Sequence, residues 1–361
     1  MNSDVVIVGG GIAGFLSACE LLRHGVRATI VERSECGRES SWAGGGILSP
    51  LYPWRYAEPV TRLASWGQPR YEALADTLYK ATGIDPEWLK SGLLMLDTGE
   101  QAQATVWARQ FGIDLKVIGK ESILSISASI VHDNGGIWME NVAQMRNPRL
   151  MRALKAYVLD QGVKVLEHRP VTGLKTEQGR ISGITTEQGD MLADKVLIAG
   201  GAWSRSLLGE SLGKGLKVEP VRGQMLLFKA KPELLRTMVL SGGKYLIPRK
   251  DGRILVGSTL EYVGFQKVTT EQALTELKAA AFKILPELQN YPIEMHWAGL
   301  RPGSPEGVPY IGEHPQIKGL FVNTGHFRNG VVLGLASARL VSDLMTGQPP
   351  ILEPAPYQIS T

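Results

Sequence analysis

Two arginines carry the clearest chemical potential in this chain. Arg301 lies in the run His296-Trp297-Ala298-Gly299-Leu300-Arg301-Pro302-Gly303, and Arg328 lies between Phe327 and Asn329. Arginine amid apolar and glycine residues predicts partial burial, and a buried guanidinium requires an anionic partner. That partner is either an internal carboxylate, giving a structural ion pair, or the carboxylate of a ligand, which the planar fork grips at two points. Tyr245, on a predicted strand, adds a hydroxyl that either joins the same anion or simply packs in a sheet. No other reactive constellation competes. The histidines at 24, 132, 168, 296, 314 and 326 show no metal spacing, C-x-x-C and H-E-x-x-H are absent, and no G-x-S-x-G run directly follows a predicted strand as a nucleophile elbow would. The sequence therefore predicts no metal and gives no support to acyl transfer or metal hydrolysis.

A second constellation predicts a dinucleotide. The strand Val5-Val6-Ile7-Val8 runs into Gly9, Gly11 and Gly14 at G-x-G-x-x-G spacing, and Ala13 to Leu22 continues as a helix. The glycines allow a tight turn, a close backbone approach to pyrophosphate, and close packing of helix on strand. The amides at the helix start then face the phosphates. A second strand, Ala28 to Val31, ends in Glu32, whose carboxylate can accept from a ribose hydroxyl and would repel a 2'-phosphate. This element suits FAD and NAD equally.

Further along, Gly37 to Pro50 is a loop dense in small residues, including Gly44-Gly45-Gly46-Ile47, of the kind that lets a flat group lie against the main chain. The strand Val196 to Ala199 ends in Gly200 and Gly201, and such ends are where α/β sheets receive ligands. His326, in Thr324-Gly325-His326-Phe327-Arg328-Asn329-Gly330, is placed at a cofactor pocket rather than as an acid-base catalyst. The long helix beginning at Gly330 would bring a positive end to charge developing on a reduced ring.

These pieces require scaffolding. Leu93 to Leu96 reads as a strand, 63 to 82 and 100 to 111 as helices, and Pro148 to Asp160 as a helix followed by the strand Val163 to Glu167. Val171 to Leu174, Ile181 to Ile184 and Met191 to Ala193 form a small meander. Gly223 to Phe228, Lys244 to Pro248 and Arg253 to Thr259 are strands, with Asp251-Gly252 as a turn, and Thr270 to Leu285 is a helix capped by Thr269 or Thr270. The fold class is α/β: a Rossmann-like domain over 1–85, 140–220 and 297–361, interleaved with a mainly antiparallel sheet plus helices over 86–139 and 221–296.

Composition agrees. With 361 residues, 42 glycines and 43% hydrophobic content, the chain suits a glycine-turned enzyme of about two domains. Its 39 basic and 35 acidic residues give a net charge of +4 without basic runs, which argues against nucleic acid as a partner. Two cysteines, Cys19 and Cys36, point to a reducing compartment. The apolar stretch Val5 to Cys19 reads as a strand and helix, not a membrane span. A cytoplasmic location is expected, with peripheral membrane contact and a homo-oligomer left open.

Four segments in order carry a family resemblance: Ser41-Trp42-Ala43-Gly44-Gly45-Gly46-Ile47-Leu48, Trp297-Ala298-Gly299-Leu300-Arg301-Pro302, Val308-Pro309-Tyr310-Ile311-Gly312, and Gly325-His326-Phe327-Arg328-Asn329-Gly330. On these the chain resembles glycine oxidases of the thiamine-pathway type, within the D-amino-acid oxidase and sarcosine oxidase superfamily. The resemblance implies FAD in a glutathione-reductase type domain, held non-covalently because Cys19 and Cys36 both come too early to match the late cysteine of covalent relatives. It implies that Ile12 and Ala13 meet the pyrophosphate, Glu32 and Arg33 the adenosine end, and Ser40 and Ser41 the bridge. Gly45, Gly46 and Ile47 would lie along the ring, Val171 at adenine, and His326, Phe327, Arg328, Asn329, Gly330, Val331 and Val332 around the pyrimidine edge. Arg301 matches the main carboxylate arginine, with Tyr245 and Arg328 as further substrate groups. The implied reaction is oxidation of glycine, sarcosine or small D-amino acids with oxygen as acceptor; the alternative is a D-amino-acid or imino-acid dehydrogenase passing electrons to a quinone-type acceptor. Gly243, Ile47 and Leu260 depart from the Bacillus-type pattern of one histidine and two methionines, which leaves the side-chain preference open.

Overall fold

The structure is a computed structural model describing residues 4–96, 99–132 and 134–359; residues 1–3, 360 and 361 of the expected Rossmann-like segments lie outside these. A six-stranded sheet carries the N-terminal motif. Its spatial order is Tyr310–Glu313, Leu320–Thr324, Lys195–Ile198, Val5–Val8, Ala28–Val31, Lys164–Leu166. All neighbours run parallel except Tyr310–Glu313, which pairs antiparallel with Leu320–Thr324. Val5–Val8 and Ala28–Val31 are buried at every position, which is why they read as continuous apolar runs rather than alternating ones. The chain leaves Val5–Val8 to one side for Ala28–Val31 and returns later on the other, creating a switch point at the carboxyl end of the first strand, where ligands bind in open α/β sheets.

The helices Ile12–Arg23 and Gly330–Thr346 pack on this sheet and on each other. Phe15, Leu16, Leu333 and Ala336, all at 1% exposure or less, join strand residues Ile7 and Ile30 in one core. Gly14 makes the helix–strand approach possible: a β-carbon there would lie 2.0 Å from the Gly9 carbonyl oxygen. The meander Val171–Glu177, Arg180–Thr186, Gly189–Leu192 covers the opposite face, where Ile181 and Ile184 join Val6, Val196 and Ile198 in a second core.

An eight-stranded sheet forms the second layer, in the order Ile293–Gly303, Glu219–Phe228, Ile254–Gly257, Lys244–Pro248, Met238–Ser241, Leu93–Leu96, Gly136–Met139, Lys116–Ile118. One neighbour pair is parallel, Met238–Ser241 with Leu93–Leu96, and the rest are antiparallel, in keeping with the expected α/β class. The helix Glu271–Ile284 covers its outer face through Leu277, Ala281 and Ile284, and the Thr270 side chain accepts from Ala273 N as its cap.

Two expectations need correction. Residues 63–82 are not one helix but two, Glu58–Gly67 and Tyr71–Thr82, broken at Gln68–Arg70 where Pro69 has no amide hydrogen to give. The loop 37–50 contains a single helical turn, Ser40–Ala43.

Candidate active site

A cavity of about 420 Å³ runs from the switch point of the six-stranded sheet to the inner face of the eight-stranded one. At the first end, Gly9, Gly11, Ile12, Ala13, Glu32, Arg33, Ser40, Ser41, Val171 and Gly200 line it. The helix Ile12–Arg23 opens with no side-chain cap and no acidic residue in its first turn, and Ser41 Oγ accepts from Ile12 N at 2.9 Å. Glu32 binds its own loop: Oε2 accepts from Gly10 N at 2.8 Å and Oε1 from Ser34 N at 3.1 Å. Ser34 Oγ also donates to Oε1, at 3.3 Å, so Oε2 keeps the free lone pair for a ribose.

The middle of the cavity is the glycine loop. Gly44, Gly45, Gly46 and Ile47 line it, and their shape is fixed by a residue that sequence reasoning missed. Arg249, 9% exposed, donates from Nη1 to Gln144 Oε1 at 2.7 Å and to Met145 O at 3.1 Å, and from Nη2 to Gly45 O at 2.8 Å. Burial pulls its pKa down to about 10, so it stays charged at neutral pH. Nothing in the local run Pro248-Arg249-Lys250-Asp251 distinguishes it from a surface arginine of a hairpin; only the tertiary contact does.

The far end is the one predicted from the arginines. Tyr245, Arg301 and Arg328 all line the cavity there, together with Leu51. Arg301 sits on Ile293–Gly303, whose register against Glu219–Phe228 places Val221 opposite it. Its guanidinium bonds only neutral acceptors, Nη2 to Ser258 Oγ at 2.7 Å and Nη1 to Thr259 O at 3.2 Å. Among the described residues neither Arg301 nor Arg328 has a carboxylate partner within ion-pair distance. The structural ion pair therefore fails as an account of both. Burial lowers the Arg301 pKa, Tyr245 beside it acts in the opposite direction, and Arg328 adds to the lowering. Tyr245 is 6% exposed, with its hydroxyl 3.3 Å from Met225 Sδ, a weak acceptor that a ligand oxygen would outcompete.

The loop before the last helix closes this end. His326, Phe327, Arg328, Gly330 and Val331 line the cavity. The helix Gly330–Thr346 has no side-chain cap and no acid in its first turn, leaving its amide end to the cavity. His326 is buried and neutral: burial pushes its pKa down to about 4. Ser337 Oγ donates to Gly334 O, so the 2.9 Å contact from His326 Nε2 makes that nitrogen the donor. Of the residues expected at the cofactor, Gly14, Asn329 and Val332 stand behind the wall: Gly14 packs on Gly9, Asn329 is buried just before the last helix without capping it, and Val332 is in the core. Leu260 is exposed and off the cavity, whereas Ile47 lies on it.

The fit to a flavin dinucleotide is tested by what the cavity wall lacks. Both side-chain polar atoms of Asn147 and Oδ1 of Asn323 are buried on this wall with no partner among the described residues, a cost that a bound polar group removes. Two uncapped helix starts, glycines where a flat ring would pass and unpaired guanidinium groups complete a donor set matched to a phosphate-bearing cofactor and an acid.

Fold and cavity together define a dinucleotide-dependent oxidoreductase with an acid-binding pocket. The chain belongs to the family of FAD dependent oxidoreductases designated DAO, whose family model matches residues 4–344. Its cofactor is FAD. It is 48% identical over 362 residues to glycine oxidase of Pseudomonas putida, covering 99% of this chain and 98% of that one. It is 49% identical over 359 residues to glycine oxidase of Pseudomonas aeruginosa, with the same coverage of 99% and 98%. The solved glycine oxidase of Geobacillus kaustophilus superposes with a TM-score of 0.94 at 29% identity, covering 99% of this chain and 98% of that one. No helix among the described residues is long and apolar enough to cross a membrane.

Proposed function

We propose that this enzyme oxidises glycine, sarcosine and small D-amino acids to the imine, which water hydrolyses to the corresponding oxo acid and ammonia or primary amine, with oxygen as the acceptor and hydrogen peroxide as its product. The observation that carries this reading is the pair of cavity arginines, Arg301 and Arg328, with no carboxylate partner among the described residues. The glycine oxidase relatives support it.

FAD, held without a covalent link, would supply a two-electron acceptor for the hydride on the substrate Cα, with oxygen as the final acceptor. Arg301 grips the substrate carboxylate, and Tyr245 adds a hydroxyl bond to it. That would hold Cα beside the stretch lined by Gly45, Gly46 and Ile47 instead of leaving it among many poses. Arg328 supplies further positive potential at the same end. The amine gives its proton to solvent before or during binding, so a dedicated base is not required, and no carboxylate or free imidazole lines the substrate end among the described residues. The amide end of Gly330–Thr346 favours negative charge at the ring edge. Residues 1–85, 140–220 and 297–361 bind the cofactor in this reading, and 86–139 and 221–296 shape the substrate side, except that the strands Glu219–Phe228 and Ile293–Gly303, the second carrying Arg301, cross these bounds and belong whole to the substrate-side sheet.

The test is anaerobic mixing of the yellow holoenzyme with glycine, sarcosine, D-alanine and L-alanine. Bleaching of the flavin band by the first three and not by L-alanine supports the reading, as does peroxide on admission of air. No bleaching by any glycine-like or D-amino acid overturns it.

A further inference from the structure

One stretch of the substrate-side chain reaches back over the cofactor cavity. Residues 260–269 leave the strand Ile254–Gly257 and return to the helix Glu271–Ile284. Both roots of this strap are fastened to a single buried side chain. Gln224 has no exposed surface; its Nε2 donates to Glu261 Oε1 at 2.9 Å and to Thr270 Oγ1 at 3.1 Å, and its Oε1 accepts from Thr270 N at 2.8 Å. Arg222 reinforces the first root through an ion pair to Glu261 and donates to Gln266 O at 3.3 Å. The roots are rigid, and the middle projects.

That middle closes a circuit with residues of the cofactor end. Lys267 Nζ lies 2.6 Å from Glu39 Oε2, and Glu39 Oε1 accepts from Arg33 Nη2 at 3.2 Å. The Arg33 guanidinium stacks 3.7 Å from the centroid of Trp203, and the Trp203 ring packs against Phe265 at 5.4 Å between centroids. Phe265 and Lys267 are two residues apart on the strap, so the chain of contacts is closed. Arg33, Glu39 and Trp203 all line the cavity. Phe265 is 47% exposed, and Leu260, Tyr262 and Val268 of the same stretch are exposed with it.

We propose that residues 260–269 form a clasp that retains FAD, with Phe265 and Lys267 as its two latches on Trp203 and Glu39. Each latch is surface-exposed and weak alone, the ion pair being screened by salt and the ring contact only partly dry. Closed together, they must both open before the cofactor's adenosine end, bounded by Glu32, Arg33 and Val171, is uncovered to solvent. The clasp sets the release rate rather than the chemistry. The inference rests on FAD filling this cavity, and its test reads cofactor release, not amino-acid oxidation.

The experiment follows FAD fluorescence after dilution of holoenzyme, comparing the native chain with the pairs Lys267→Met/Phe265→Ser and Lys267→Arg/Phe265→Tyr. The first pair is expected to release FAD about tenfold faster, equivalent to about 1.4 kcal/mol, and the second to stay within about twofold. Raising salt should speed release from the native chain and leave Lys267→Met unmoved. Release within twofold of native from Lys267→Met/Phe265→Ser would overturn the proposal. So would equal loss of FAD from the conservative pair, which would mean the strap matters only as packing.

Discussion

The Arg301 guanidinium occupies the space that a side chain on Gly223 would need: a β-carbon there would lie 2.0 Å from Nη1 and 2.3 Å from Cζ. Gly223 is two residues along from Val221, the residue paired with Arg301 across the strands. The bare backbone at 223 thus sets where the anchoring charge sits. Gly223→Ala should push the guanidinium off its position and cut kcat/KM for glycine by roughly 100-fold, the scale of a misplacement of about 1 Å, while FAD content holds. Steady-state kinetics per bound flavin check this, and a loss under threefold would detach Gly223 from the site.

Tyr245 contributes one hydroxyl. Tyr245→Phe removes it without opening a cavity, so the loss should be that of one hydrogen bond to a charged group, about 1.5–3 kcal/mol at most and about 0.5–1.5 if the bond is ordinary. The expected reading is a KM for glycine raised about 3- to 30-fold with kcat changed far less.

Arg249 holds the glycine loop from behind through Gly45 O and Met145 O. Arg249→Met should leave those carbonyls without donors and loosen the ring-facing loop, weakening FAD binding about tenfold, or about 1.4 kcal/mol. Titrating apoprotein with FAD measures it. Unchanged affinity would show that the loop keeps its shape without the arginine.

His326 makes stability depend on acid. Its folded pKa of about 4 lies below the ordinary 6.5 because burial disfavours the charged ring. Above about pH 6.5 the ring is neutral in both states and the full stability is present. Between about 6.5 and 4 the unfolded chain takes up a proton that the folded chain refuses, so stability falls as pH drops; below about 4 this contribution levels off. The gap amounts to about 3 kcal/mol at order of magnitude. Denaturation of apoprotein at pH 7 and pH 4 should show His326→Asn losing less stability than the native chain. Parallel losses would contradict the assignment.

Much of this was legible in residue order. The strand, glycines, helix and Glu32 lie within one local stretch, so their spacing alone reports the dinucleotide end. Arg301, Arg328 and Tyr245 were visible as polar groups in apolar surroundings, although only the fold shows that they meet and lack carboxylate partners. Arg249, Asn147, Trp203 and Gln224 were not legible, because each earns its role from a partner far along the chain: Arg249 from Gly45, Gln224 from Glu261 and Thr270. The strand Met238–Ser241 was missed for a related reason. It is four residues long, and its pairing with Leu93–Leu96 is set across the sheet.

The most direct test is substrate-driven flavin reduction in Arg301→Met holoenzyme without oxygen. FAD is expected to remain bound, and the glycine concentration giving half-maximal bleaching to rise about 100-fold or more, the cost of losing a buried charge-assisted partner. Bleaching at native glycine concentrations and native rates would contradict this.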